Sequence, residues 1–406
     1  MLRLGVLFTT FGVASLVALS GCTSGGASPG DDILALDEFT YIMIDSTRTR
    51  YDGKTQGDGF WMGQASGDLN GDGYKDIASG KWVYLNPGGD MAGTWERQTL
   101  QDSLDILLIV DVDGDAYSDM IAAKCNVQVW YEALNEESTE WEVRQIGSLP
   151  VCNHGTSTQG YNLAQFVEGG RPEIVLTGDR IYYTEIPDDP ESGEWPSVAM
   201  TTEDAGGEWN TAVDMDGDGD LDLAGGYDRR PGDGLGVAWW ENPDDGSGEW
   251  PMHEVGHVEH RGDKFLASDL NGDGRPDMIV TEERWPGLEP DANMFWFEAP
   301  EDPTSDEWQR NWIVTQYSMN NLDIADMDHD GDVDLVVLEH KGPSERLQVW
   351  ENDGSANFTM HVVDQGKEGH QGGRLSDMDS DGDLDVVSMA WNDFQYLHFW
   401  RNDAIE

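Results

Sequence analysis

Short runs of β-branched and aromatic residues recur along the chain, separated by stretches rich in Gly, Asp, Asn and Pro. Runs such as Asp334-Leu335-Val336-Val337-Leu338 and Asp385-Val386-Val387-Ser388-Met389 are too short and too evenly apolar for surface helices, and they predict strands. A second kind of run places an aromatic pair or a lone Trp before an acidic or amide residue. Examples are Val127 to Glu132, Val237 to Asn242, Met294 to Glu298 and Val349 to Asn352. A third opens on an aromatic residue, at Trp95, Trp141, Trp195, Trp250, Trp308 and Phe358. Together with the apolar stretch ahead of each polar loop, these runs predict units of four short antiparallel strands.

A nonapeptide, Asp-x-Asp/Asn-x-Asp-Gly-x-x-Asp, punctuates the units. Copies start at Asp68, Asp111, Asp214, Asp269, Asp326 and Asp377, with steps of 43, 103, 55, 57 and 51 residues. The second step is two periods long. Midway through it, Ala164 to Val175 aligns with Ala267 to Val280 after two deletions and supplies a seventh copy stripped of its carboxylates. Seven four-stranded units predict an all-β, seven-bladed β-propeller over residues 37–406. Too little chain follows Asp385 for the outer strand of the last unit. Glu38 to Asp45 matches the outer strand Asn357 to Asp364 in its Phe-Thr and final Asp, so the N-terminal strand 38–45 is expected to close the last blade.

The loops carry the clearest chemistry. Oxygen-bearing side chains crowded into nine residues, with a glycine at the sharp turn, suit a hard cation such as Ca²⁺. The expected ligands are Asp68, Asn70, Asp72 and Asp76; Asp111, Asp113, Asp115 and Asp119; Asp214, Asp216, Asp218 and Asp222; Asp269, Asn271, Asp273 and Asp277; Asp326, Asp328, Asp330 and Asp334; and Asp377, Asp379, Asp381 and Asp385. The carbonyl at position 7 of each loop would add another oxygen. Ala116 replaces the turn glycine in the second loop. An EF-hand shares the opening but needs Glu at position 12, where this chain has Ser79, Ala122, Gly225, Val280, Val337 and Ser388, followed by strands rather than helices.

With these loops, the chain resembles the VCBS/FG-GAP repeat family, the propeller class that includes the integrin α-chain head. The resemblance covers residues 38–406 and implies calcium in up to six loops, with the third blade empty.

Residues 1–22 read as an export signal. Arg3 precedes the apolar run Leu4 to Leu19, and Leu19-Ser20-Gly21-Cys22 resembles a bacterial lipobox. That resemblance implies lipidation of Cys22 and an outer-membrane lipoprotein, with residues 23–36 as a flexible tether. The balance of 80 Asp+Glu against 23 Lys+Arg, a formal charge of -57, disfavours nucleic acid as a partner. A monomer is expected.

The metal loops join first to second strands, so the second-to-third turns and the connections between blades lie on the opposite face. Many basic and aromatic residues are expected there, and a candidate ligand surface comprises His154, Arg229, Arg230, His260, Lys264, Arg284, Trp285, Lys341, His370 and Trp391. Two readings follow. One is a lipid-anchored binding or adhesion module for a glycan or protein. The other is a polysaccharide lyase or sugar dehydratase acting on an acidic glycan, with His260 or His370 as base and Arg261 or Arg374 neutralising a carboxylate. Cys125 and Cys152 fall on that same face and are expected to form a disulfide or to remain as free thiols.

Overall fold

The computed structural model describes residues 33–49, 62–100, 104–151, 158–202, 209–228, 235–243 and 246–405. Its strands form seven four-stranded antiparallel sheets. Blade one runs over residues 64–99, two over 105–147, three over 161–199, four over 210–258, five over 261–316 and six over 319–365. Blade seven takes three strands from 371–402 and its outer strand, Phe39–Asp45, from the other end of the chain. The seventh unit inferred from the carboxylate-free repeat is blade three.

Sequence pattern and layer agree for a physical reason. The second strand of a blade is covered on both faces by neighbouring blades, so Leu335, Val336, Val337 and Leu338 are all buried and the run need not alternate. Outer strands face solvent, and Gln309–Gln316 is correspondingly polar and largely exposed. The apolar side chains gather in seven clusters, one at each interface between adjacent blades. Tryptophans of the third strands, among them Trp130, Trp239 and Trp400, are essentially inaccessible at the centres of these interfaces.

The ring closes through the N-terminal strand, paired from Phe39↔Asn402 to Asp45↔Leu397. Tyr41 packs on Trp400 with ring centroids 5.6 Å apart, and its hydroxyl lies 2.9 Å from His398 Nδ1. At the far end of the strand, Asp45 accepts hydrogen bonds from Tyr84 Oη and Arg97 Nη1 of blade one, both at 2.8 Å, and from Thr47 N at 2.7 Å. Burial alone would raise the Asp45 carboxyl, but these donors outweigh it and hold the pKa below the usual value. Asp45 thus fastens the closing strand to the first blade. Close approach fixes Gly63 as well: a Cβ there would stand 1.9 Å from Ile106 O of blade two.

Candidate metal centres and the opposite face

Each acidic loop is held by its own side chains. The position-1 carboxylate accepts the amide of position 4, as Gly71 N to Asp68 (2.8 Å), Gly114 N to Asp111 (2.7 Å) and Gly217 N to Asp214 (2.7 Å). It also accepts the amide of position 6, as Gly274 N to Asp269 (2.8 Å) and Gly331 N to Asp326 (3.1 Å). The position-5 carboxylate accepts the amide of position 7 in all six loops, Tyr74, Tyr117, Asp220, Arg275, Asp332 and Asp383 being the donors. Side chains at positions 1, 3 and 5 therefore turn inward around a common point.

Two positions of the loop require left-handed backbone. Position 6 has φ between 76° at Ala116 and 109° at Gly382, and Ala116 is its sole non-glycine. Position 4 is left-handed too. It is glycine in four loops but His329 (φ 63°) and Ser380 (φ 65°) in the last two.

Carboxylate atoms lie within 4.8 Å of one another in the sets Asp111/Asp113/Asp115, Asp214/Asp216/Asp218, Asp326/Asp328/Asp334 and Asp377/Asp379/Asp381. In the loops of blades one and five position 3 is Asn70 or Asn271, whose carbonyl oxygen can serve the same role. Among the described residues, Oδ1 of Asp326 and Oδ1 of Asp379 are buried without a hydrogen-bond partner. An orphaned, buried carboxylate oxygen beside other carboxylates is what a hard cation would satisfy, so these residues fit Ca²⁺. Burial, with like charges nearby, raises Asp328 and Asp383 to about 6. In the loop of blade five the guanidinium of Arg275 pairs with Asp273 and competes for that carboxylate.

The ninth-position aspartates have a second job that spacing alone did not reveal. All six are buried, and each splits its two oxygens between two backbone amides. Asp222 Oδ2 accepts Met215 N of its own loop and Oδ1 accepts Asn242 N at the end of the third strand, both at 2.8 Å. Asp385 does the same with Met378 N and Asn402 N, both at 2.8 Å. Burial drives these carboxyls up, to about 8 for Asp222 and Asp385 and about 7 for Asp76, Asp119, Asp277 and Asp334. In blade three Glu173 reaches the same place, accepting Phe166 N at 2.8 Å. That blade keeps the loop half of the clamp, while its loop lacks the acidic cluster.

The clamp extends between blades. Asn242 Nδ2 donates to Phe166 O (2.9 Å), Asn352 Nδ2 to Leu270 O (2.9 Å) and Asn86 Nδ2 to Met378 O (3.3 Å), in each case reaching the loop of the preceding blade.

On the opposite face most of the expected basic residues are neutralised or buried. Arg284 pairs with Asp291 at 2.7 Å and donates to His260 Nδ1 at 3.1 Å; Lys341 pairs with Glu283. Lys264 lies within a strand, 1% exposed, with Nζ 3.6 Å from the centroid of Trp209. His370 is also buried, stacked on Trp391 (5.0 Å) and edge-on to His340 (4.3 Å), whose Nδ1 lies 2.6 Å from Glu368. Lys264 and His370 therefore do not belong to an open surface. Arg261 is exposed at the start of its strand, and Arg374 projects onto the propeller axis. Trp285 and Leu288, in the turn after Glu283, are 79% and 73% exposed. Cys22, Cys152, His154, Arg229 and Arg230 lie outside the described residues; Cys125 is disulfide-bonded.

Comparison with known proteins agrees with this geometry. A model of the FG-GAP-like repeat matches residues 214–280, 269–337 and 326–388, each span running from one acidic loop through the next. No curated protein sequence matches the chain. Two crystal structures of BBS1N in complex with ARL6DN, soaked with mercury or lead, are similar in fold at 11% identity. They cover 89% of this chain and 97% of theirs, with TM-scores of 0.52 and 0.50. The crystal structure of the V. cholerae biofilm matrix protein Bap1 covers 91% of this chain and 88% of its own, at 10% identity and a TM-score of 0.43. The chain carries FG-GAP-like repeats on a seven-bladed β-propeller.

Proposed function

We propose that this protein is a calcium-binding propeller, anchored to a membrane through a lipid on Cys22, that binds a glycan through the face opposite its metal loops. The exposed Trp285–Leu288 turn is the observation that carries the ligand reading. An indole 79% exposed, with Lys341 Nζ 5.6 Å from its ring centroid and with paired polar groups at its edge, offers a stacking platform for a sugar ring. Because Arg284 and Lys341 have acidic partners, the platform adds little net positive charge, and a neutral or weakly charged sugar suits it better than a polyanion.

The chain's entry point supports the orientation. Leu34 N donates to Asp328 O at 2.8 Å and Leu36 is buried beside Met327, so the N-terminal segment reaches the propeller on the metal-loop side. A lipid on Cys22 would turn that side toward the membrane and the Trp285 side away from it. Calcium would brace the loops by neutralising their carboxylates.

Binding is favoured over lyase chemistry because His370 is buried and His260 Nδ1 is engaged by Arg284, which leaves neither side chain set up as an open base. A glycan array probed with the purified protein in calcium tests this reading. Discrete signals that disappear in Trp285→Ala support it. An array without signal, or signals unchanged in that variant, would contradict it.

A further inference from the structure

Among the described residues, one guanidinium on the propeller axis keeps two buried nitrogens without a hydrogen-bond partner. Arg374 lies on the innermost strand of blade seven, Gln371–Ser376. Its side chain spans the centre of the ring to the opposite blades, where the guanidinium carbon sits 4.8 Å from the Tyr161 ring centroid of blade three and 4.7 Å from that of Trp209, which leads into blade four. The two rings meet edge to face at 5.4 Å and form a corner under the cation. Lys264 Nζ lies over the same indole, so two cations share one aromatic wall.

Nε and Nη2 of Arg374 are buried and have no hydrogen-bond partner among the described residues. Those two nitrogens form the side-on fork that matches the two oxygens of a carboxylate. Asp323, on the innermost strand of blade six, is an acid whose charge acts on Arg374, and its oxygens accept Ile324 N (3.0 Å) and Leu375 N (3.3 Å). Both contacts are to backbone amides, the second on the residue after Arg374 in blade seven, and Nε and Nη2 of Arg374 stay without a hydrogen bond to it. Two guanidinium nitrogens kept from water without an acceptor are costly, and an anion between them removes that cost.

We propose that the Nε–Nη2 edge of Arg374 is the anchor of an anion site on the propeller axis that takes a carboxylate, with Trp209 and Tyr161 as its apolar wall. The inference is independent of the metal loops, the lipid and the Trp285 platform. Its chemistry is shared by a simple carboxylate and by a sugar acid, which differ in whether the apolar wall receives a ring.

Isothermal titration of the full-length protein at constant ionic strength, with sodium acetate, sodium D-glucuronate and D-glucose as the three probes, tests it. Acetate or glucuronate should bind and glucose should not. Glucuronate binding more tightly than acetate identifies a sugar-acid site; equal affinity identifies a site for the carboxylate alone. Arg374→Lys keeps the charge but loses the fork, and it should weaken binding by about tenfold or more. Trp209→Phe, which retains an aromatic wall and is less disruptive to folding, should leave acetate binding within about threefold while changing the glucuronate-to-acetate ratio if a ring is seated there. Absence of heat with both carboxylates, glucose binding as well as glucuronate, or unchanged affinity in folded Arg374→Lys would overturn the proposal.

Discussion

Asp222 and Asn242 are joined at 2.8 Å through the carboxylate Oδ1 of one and the backbone amide of the other, and Asn242 then reaches across to Phe166 O of the preceding blade. One aspartate thereby ties together the end of a metal loop, the end of a third strand and, through its partner, the adjacent blade. Replacing Asn242 by Ala removes the donor to Phe166 O and Leu221 O and leaves those carbonyls without it. The expected loss is about 1–3 kcal/mol, measured by urea denaturation in saturating calcium. A loss below about 0.5 kcal/mol would show that the inter-blade bond contributes little.

The ninth-position carboxyls set a pH dependence whose sign depends on metal. Their folded-state pKa values, about 7 to 8, lie above the usual aspartate value of 3.8. The contribution is therefore full below about 4 and is lost as pH rises through about 7 to 8. His398 works in the other direction. Burial lowers it from 6.5 to about 4, so its contribution is present above 6.5 and is lost as pH falls toward 4. Six carboxyls outweigh one imidazole. In chelator, the melting temperature should fall between pH 5 and pH 8; in calcium that fall should be largely abolished, because the cation favours the ionised loop.

Closure of the ring depends on Asp45. Asp45→Ala removes the acceptor for Tyr84, Arg97 and Thr47. Arg97 is 37% exposed and can turn to solvent, so the cost is expected near 2 kcal/mol rather than the larger value of a fully buried pair. Hydrogen exchange should rise in residues 39–45 and 397–402 ahead of the other blades. Uniform exchange across all blades would contradict this order.

Ala116 holds φ at 76°, where a side chain is strained and glycine is not. Ala116→Gly should stabilise the protein by roughly 0.5–1 kcal/mol in thermal denaturation and strengthen metal binding in the second loop. Destabilisation would mean that the alanine is relaxed there.

Much of this architecture was legible because the loop is a covalent pattern. Asp and Gly at fixed spacing gave the blade count and the hidden third-blade copy, and the match of residues 38–45 to 357–364 gave the closing strand, all of which depend on local chemistry repeated along the chain. What could not be read depends on neighbours remote in sequence. The double service of Asp222 requires knowing where Asn242 ends its strand, and the Tyr161–Arg374 meeting joins residues on opposite sides of the ring. Lys264 looked like a loop cation, but its strand begins three residues earlier, at Arg261, and carries it into the interior. A signal was available at position 4 of the loops. Glycine in four copies marked a second left-handed residue, and His329 and Ser380 concealed it.

The central claim is that the acidic loops hold calcium. Equilibrium dialysis of the chelator-stripped protein against calcium, followed by elemental analysis, tests it most directly. Several bound ions per chain, up to six, are expected, with loss of about one when Asp379 or Asp326 is replaced by Ala. A stoichiometry at or below one ion per chain, unchanged by those substitutions, would contradict it.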